Sequence, residues 1–109
     1  MKQQTPHIAI LGAGESGVGS AILAQKQGFN VWVSDNGKIK PNYKAELDKN
    51  NIPCEENGHD EEKILNAKTI IKSPGIPESV QIVQQALNKN IEVISEIEFA
   101  SRYSSAFMI

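Results

Sequence analysis

The amino-acid sequence predicts an α/β fold, a parallel sheet of about five strands with helices on both faces. Three observations lead there. Short apolar runs recur along the 109 residues with a helix-favouring stretch between successive runs, the order that builds parallel crossover units. The first run, His7-Ile8-Ala9-Ile10-Leu11, is nearly continuous rather than alternating, as in a strand covered on both faces. No internal repeat or low-complexity segment interrupts the pattern, so one layered domain accounts for it.

The first strand stops at Gly12. Residues 16–27 favour helix, with Val18, Ala21 and Ile22 on one face and Gly28 where a helix end takes a left-handed residue. Val31-Trp32-Val33 reads as the second strand, closed by the turn-forming Asp35-Asn36-Gly37. Residues 42–51 place Tyr43 and Leu47 at helical spacing, and Ile52-Pro53-Cys54-Glu55 reads as a weak short strand. A short acidic helix around Glu61 to Leu65 leads to a fourth strand, Thr69-Ile70-Ile71, which stops at Ser73-Pro74-Gly75. Pro77 to Asn88 reads as a helix with Pro77 in its first turn and Val80, Val83 and Leu87 facing inward. Ile91-Glu92-Val93-Ile94 supplies the fifth strand. Ser95 and Glu98 then stand at the spacing of a reciprocal capping box before a last helix through Arg102. The sum is Rossmann-like. Residues 1–105 are expected to form the domain, and Ala106-Phe107-Met108-Ile109 to begin a strand leading into a further domain.

Composition narrows the function. With 39% hydrophobic and 22% charged residues the chain is neither disordered nor a disulfide miniature. A net charge of -2 removes the electrostatic reason to expect nucleic acid as a partner. The longest apolar runs, Ile8 to Leu11 and Ala106 to Ile109, fall far short of the ~20 residues of a membrane span, and the first residues do not resemble a signal peptide. No membrane partner and a cytoplasmic setting are therefore expected. The single cysteine, Cys54, agrees with a reducing compartment. His7, His59 and Cys54 have no zinc-ligand spacing, so no metal and no catalytic nucleophile are expected of them. Trp32, within a strand, is expected to pack rather than stack on a base.

Two loops carry candidate chemistry. Gly12-Ala13-Gly14-Glu15-Ser16-Gly17 matches G-x-G-x-x-G between a strand and a helix. In that context Gly12 permits the tight turn, Gly14 clears space for a phosphate, and Gly17 lets helix and strand pack closely. Free amides at the helix start then face the anion, aided by the helix dipole. Glu15 is expected to turn its carboxylate to solvent and offer its amide. Ser16 either donates its hydroxyl to the same diphosphate or caps the helix. Asp35 stands 18 residues after Gly17, where dinucleotide folds set an acid against ribose hydroxyls. It could equally accept a uracil N3–H or only start its turn. Ser73-Pro74-Gly75-Ile76-Pro77 follows the fourth strand. In the doubly wound order that strand lies beside the first, so both loops should line one crevice.

The glycine loop, Val33-Ser34-Asp35, Gly58-His59, Lys72-Ser73-Pro74-Gly75-Ile76-Pro77 and Ser95-Glu96-Ile97-Glu98-Phe99 occur in the order found in a known family. Over about residues 7–109 the chain resembles the Mur ligases of cell-wall synthesis, in their D-glutamate-adding branch. The glycine loop is generic, whereas the last two segments, in register, are much more specific. The resemblance implies that the domain holds the UDP part of UDP-N-acetylmuramoyl-L-alanine. It implies Gly14, Glu15 and Ser16 for the diphosphate, Asp35 and Asn36 for the uracil, and Ser73, Pro74 and Gly75 for the adjoining wall. ATP and Mg²⁺ would serve missing central and C-terminal domains, with no cofactor or catalytic residue here. Indeed the ATP-binding pattern G-x-x-x-x-G-K-[ST] is absent from this sequence. Gly37 stands where some relatives have an arginine able to pack on the base, which implies weaker base affinity. The chain alone is expected to lack ligase and ATPase activity and to bind UDP with Kd roughly between millimolar and tens of micromolar. The rival readings are an NAD(P)-binding module of a dehydrogenase or sensor, and a ligase of the same family adding another amino acid.

Overall fold

The computed structural model describes residues 7–103; the strand expected over residues 106–109 lies outside them. The elements alternate as β1 (Ile8–Leu11), α1 (Glu15–Lys26), β2 (Val31–Ser34), α2 (Pro41–Lys49), β3 (Cys54–Glu55), α3 (Glu61–Leu65), β4 (Thr69–Lys72), α4 (Gln81–Asn88), β5 (Glu92–Ser95) and α5 (Glu96–Arg102). The strands form one sheet in the order β3-β2-β1-β4-β5, and every pair is parallel. β1 is therefore central, with Leu11 in register with Ser34 on one side and Lys72 on the other.

Successive side chains of β1 enter opposite cores, because strand residues alternate faces. Ile8 and Ile10 join Val18 and Ala21 of α1, Leu47 of α2 and Phe99 of α5. Ala9 and Leu11 join Ile64 of α3 and Ile82, Val83 and Ala86 of α4. This explains why β1 reads as continuously apolar and is buried throughout. It also sets α1 on one face and α4 on the other, so the chain leaves adjacent strands β1 and β4 in opposite directions. Their divergence opens a crevice at the carboxyl ends of the strands.

Local chemistry fixes most boundaries. Gly28 has φ 94°, as a helix-terminating left-handed residue requires. Pro41 opens α2 at a position where its missing N–H costs nothing. Trp32 packs against the second core, and its indole N–H donates to Glu55 at 3.0 Å. The Lys63 ammonium lies 4.1 Å above its ring.

Two expectations need correction. α4 starts at Gln81 rather than Pro77, because Val80 is extended at ψ 139° and its N–H closes a separate turn on the Pro77 carbonyl at 3.2 Å. The later start rotates the buried stripe onto Ile82, Val83 and Ala86, leaving Leu87 43% exposed. The capping box before α5 is half made. The Ser95 hydroxyl accepts from the Glu98 N–H at 3.0 Å, but the Glu98 carboxylate pairs with Arg102 at 3.2 Å.

Candidate functional site

The glycine turn begins where β1 ends. Gly12, at φ 103°, donates its N–H to the Ser34 carbonyl at 2.8 Å. A side chain here would meet Ser73 Cβ at 3.0 Å, so the turn after β1 lies directly against the loop after β4. Gly17 serves closeness as well: a Cβ there would stand 1.9 Å from the Gly12 carbonyl oxygen. At Gly14, by contrast, a Cβ would meet nothing within 4 Å. Its absence keeps open space open.

Gly14 is also the N-cap of α1, and no side chain caps this 12-residue helix. That removes the capping role considered for Ser16, which is exposed inside the first turn. The Ala13 N–H goes to Asp35 Oδ2 at 2.8 Å, and Val18 N–H goes to the Gly14 carbonyl at 2.9 Å. Between them the N–H groups of Gly14, Glu15, Ser16 and Gly17 have no acceptor among the described residues. Successive free amides on a helix N-terminus are the main-chain arrangement that receives a phosphate. Glu15 is exposed, in line with a carboxylate turned to solvent.

Asp35 ties two turns together. Its Oδ2 takes the Ala13 amide and its Oδ1 takes the Gly37 amide, each at 2.8 Å. Each oxygen retains capacity for one more donor, but clamping the glycine turn is its evident work in this state.

Across the crevice, the Ser73 N–H bonds the Leu11 carbonyl at 3.1 Å, and the Ile76 N–H closes a turn on Ser73 at 3.0 Å. The Lys72 ammonium donates to the Ile76 carbonyl at 2.8 Å and braces that turn. A cleft of about 340 Å³ opens between this loop with the start of α4 and the segments that follow β2 and β3. Asn36, His59 and Glu61 line one side; Gly75, Ile76, Pro77, Val80, Gln81 and Ile82 line the other. None of Gly12 to Gly17 lines this cleft, which adjoins the carboxyl ends of β2 and β4 on the face covered by α3 and α4.

A family model described as Mur ligase MurD-like, N-terminal domain, matches residues 6–95. The chain belongs to this family. A UDP-N-acetylmuramoylalanine–D-glutamate ligase from Porphyromonas gingivalis is 60% identical over 94% of this chain, which is only 23% of that protein's length. A second ligase of that name, from Bacteroides thetaiotaomicron, is 53% identical over the same 94% and 23%. The chain thus spans about a quarter of the curated relatives it matches. Among solved structures, a murein peptide ligase from Psychrobacter arcticus superposes with TM-score 0.79 at 23% identity, covering 89% of this chain and 20% of that one. The last likeness establishes the shared fold.

In this MurD-like domain the sequence-predicted residues fall into three places. Gly12, Gly14, Glu15, Ser16 and Gly17 form the turn and first helical residues, Ser73, Pro74 and Gly75 the facing loop, and Asp35 and Asn36 the end of β2. Asn36 and Gly75 border the cleft itself. Sequence reasoning weighed His59 only as a metal ligand or nucleophile and gave it no site role, whereas its Nδ1 contacts the buried Ser34 hydroxyl. The available signal was position, since His59 follows β3 at its carboxyl end. It also passed over Glu96, 7% exposed, whose Oε2 is 3.6 Å from where a Gly17 side chain would begin. Burial pushes the Glu96 carboxyl above its ordinary value, while the neighbouring Ser16 hydroxyl pulls it down.

Proposed function

We propose that this chain is the uridine-nucleotide-binding domain of a D-glutamate-adding ligase and holds the UDP part of UDP-N-acetylmuramoyl-L-alanine. The observation behind this reading is the run of amides from Gly14 to Gly17 that have no acceptor among the described residues, in a turn whose Gly12 lies against Ser73 of the loop after β4. The diphosphate sits on the Gly14, Glu15 and Ser16 amides, with Gly12 and Gly17 shaping the turn. Asp35 and Asn36 face the base from the end of β2, and Ser73, Pro74 and Gly75 form the opposite wall. Identity to D-glutamate ligases of 60% and 53% favours this member of the family over those adding another amino acid.

In the whole ligase, bound ATP and Mg²⁺ would supply the activation of the substrate carboxylate that lets the D-glutamate amine form the amide. The central and C-terminal domains supply those groups, and this domain tethers the substrate by its nucleotide. It works in the cytoplasm; none of the described helices is long and apolar enough to cross a membrane. Calorimetric titration of the chain with UDP and NADH in parallel tests the reading. UDP is expected to bind with Kd roughly between millimolar and tens of micromolar while NADH gives no heat. NADH binding with UDP silent would overturn it in favour of a dinucleotide module.

A further inference from the structure

The wall of the cleft beside β3 contains a hydrogen-bond chain whose direction can be deduced. Glu55 Oε2 accepts from the Trp32 indole N–H at 3.0 Å and from the Asp60 amide at 2.7 Å. Both groups can only donate, and two such donors favour Oε2 as a bare acceptor oxygen, with any carboxyl hydrogen on Oε1. Its third neighbour, the Ser34 hydroxyl at 2.8 Å, then donates to it in preference to the Gly58 carbonyl at 3.3 Å, because a hydrogen turned to Gly58 would leave the serine lone pairs against Oε2. A hydroxyl has one hydrogen. With that hydrogen on Glu55, the close contact between Ser34 Oγ and His59 Nδ1 is attractive only if Nδ1 bears a proton and donates it to Oγ. The reverse direction would press the serine lone pairs against a bare carboxylate oxygen. Ser34 is completely buried, so water cannot relieve that conflict.

The imidazole makes no other hydrogen bond among the described residues, and His59 lines the cleft. In the neutral ring, protonation at Nδ1 leaves Nε2 as an acceptor. Across the cleft Ile76, Pro77, Val80 and Ile82 form a mainly apolar side, with Gln81 among them. Its volume of about 340 Å³ is at the small end of the roughly 300 to 1,000 Å³ usual for ligand sites. A flat, partly apolar group with one N–H or O–H donor matches these walls. We propose that Ser34 and Glu55 hold His59 in its Nδ1-protonated form, so that Nε2 accepts a hydrogen bond from the nucleoside of a bound UDP. This rests on the nucleotide-binding reading above. The donor is a ribose hydroxyl or the uracil N3–H. Ser34 and Glu55 act only through His59, as positioning residues.

The test combines a spectroscopic readout with binding. In mildly alkaline buffer, long-range ¹⁵N–¹H spectra of the chain should show His59 Nδ1 protonated and Nε2 bare, and Ser34→Ala should redistribute the proton toward Nε2. His59→Asn keeps an N–H for Ser34 but removes the acceptor; it should weaken UDP about threefold to tenfold and leave inorganic pyrophosphate binding unchanged. Of 2′-deoxy-UDP and N3-methyl-UDP, the analogue lacking the relevant donor should bind the wild type as weakly as His59→Asn binds UDP. A proton on Nε2 in the wild type, or equal UDP affinity of wild type and His59→Asn, overturns the proposal. If the wild type binds no UDP, the nucleotide reading itself fails, and the nucleoside assignment with it, whereas the tautomer is decided by the spectra alone.

Discussion

Beside β1 the site is built from main chain; beside β3 it is built from side chains. The glycine turn offers amides and owes its form to two missing Cβ atoms, at Gly12 and Gly17. The wall beside β3 depends on Ser34, Glu55 and His59, brought together across separations of 21 and 25 residues. The two constructions fail differently. A glycine turn is lost by adding atoms, and a side-chain wall by removing them.

The largest expected effect comes from filling space that the turn does not have. Gly17→Ala sets a methyl 1.9 Å from the Gly12 carbonyl oxygen, a contact between backbone elements that no rotamer relieves. Loss of about 3 kcal/mol is expected, with UDP binding lost alongside, read by urea denaturation and titration. A variant as stable as wild type would mean that helix and strand do not meet as described. Second in size is the side-chain wall. Glu55→Ala strands the Trp32, Ser34 and Asp60 donors together and should cost about 2 kcal/mol. Glu55→Gln, which keeps an oxygen, should cost less; equal losses would show that the chain of bonds does not matter.

Gly14→Ala sharpens the contrast from inside the turn. Gly14 has φ -83°, which alanine adopts freely, and a Cβ there touches nothing. Stability should stay within about 0.5 kcal/mol of wild type. UDP affinity should fall about tenfold, near 1.4 kcal/mol, because the methyl occupies space assigned to the diphosphate. Undiminished binding would remove the phosphate from this turn.

The same contrast explains what the sequence revealed. Gly12 and Gly17 were legible because a tight turn and close packing leave few alternatives to glycine, and Gly14 through the spacing that marks a strand joined to a helix. The crevice followed from β4 lying next to β1, which the doubly wound order predicts. His59 was not legible. Its value lies in a partner on β2 and another on β3, and a histidine preceded by glycine reads equally well as surface. The rotation of α4 was hidden for a related reason. Val80, Val83 and Leu87 share a stripe in the sequence, and only the turn at Pro77 shifts the start that decides which stripe is buried.

The smallest effect lies where the two constructions meet. Glu96 brings a side chain from α5 beneath the main-chain turn, within reach of Ser16 and Gly17. Burial holds its carboxyl above the ordinary 4.5, so the folded chain takes up this proton at higher pH than the unfolded chain does. The charged form therefore costs stability at neutral pH. Glu96→Gln should be the more stable protein at pH 7, and the gap should narrow as pH falls through the raised folded value and close below about 4.5, where both states are protonated. A gap that widens on acidification would reverse the sign of the burial effect. For binding, the charge competes with a diphosphate for the same helix terminus, so Glu96→Gln should tighten UDP a few-fold at low salt. Weakening instead would mean that Glu96 serves the turn by aiming Ser16, and that the anion site depends on a side chain after all.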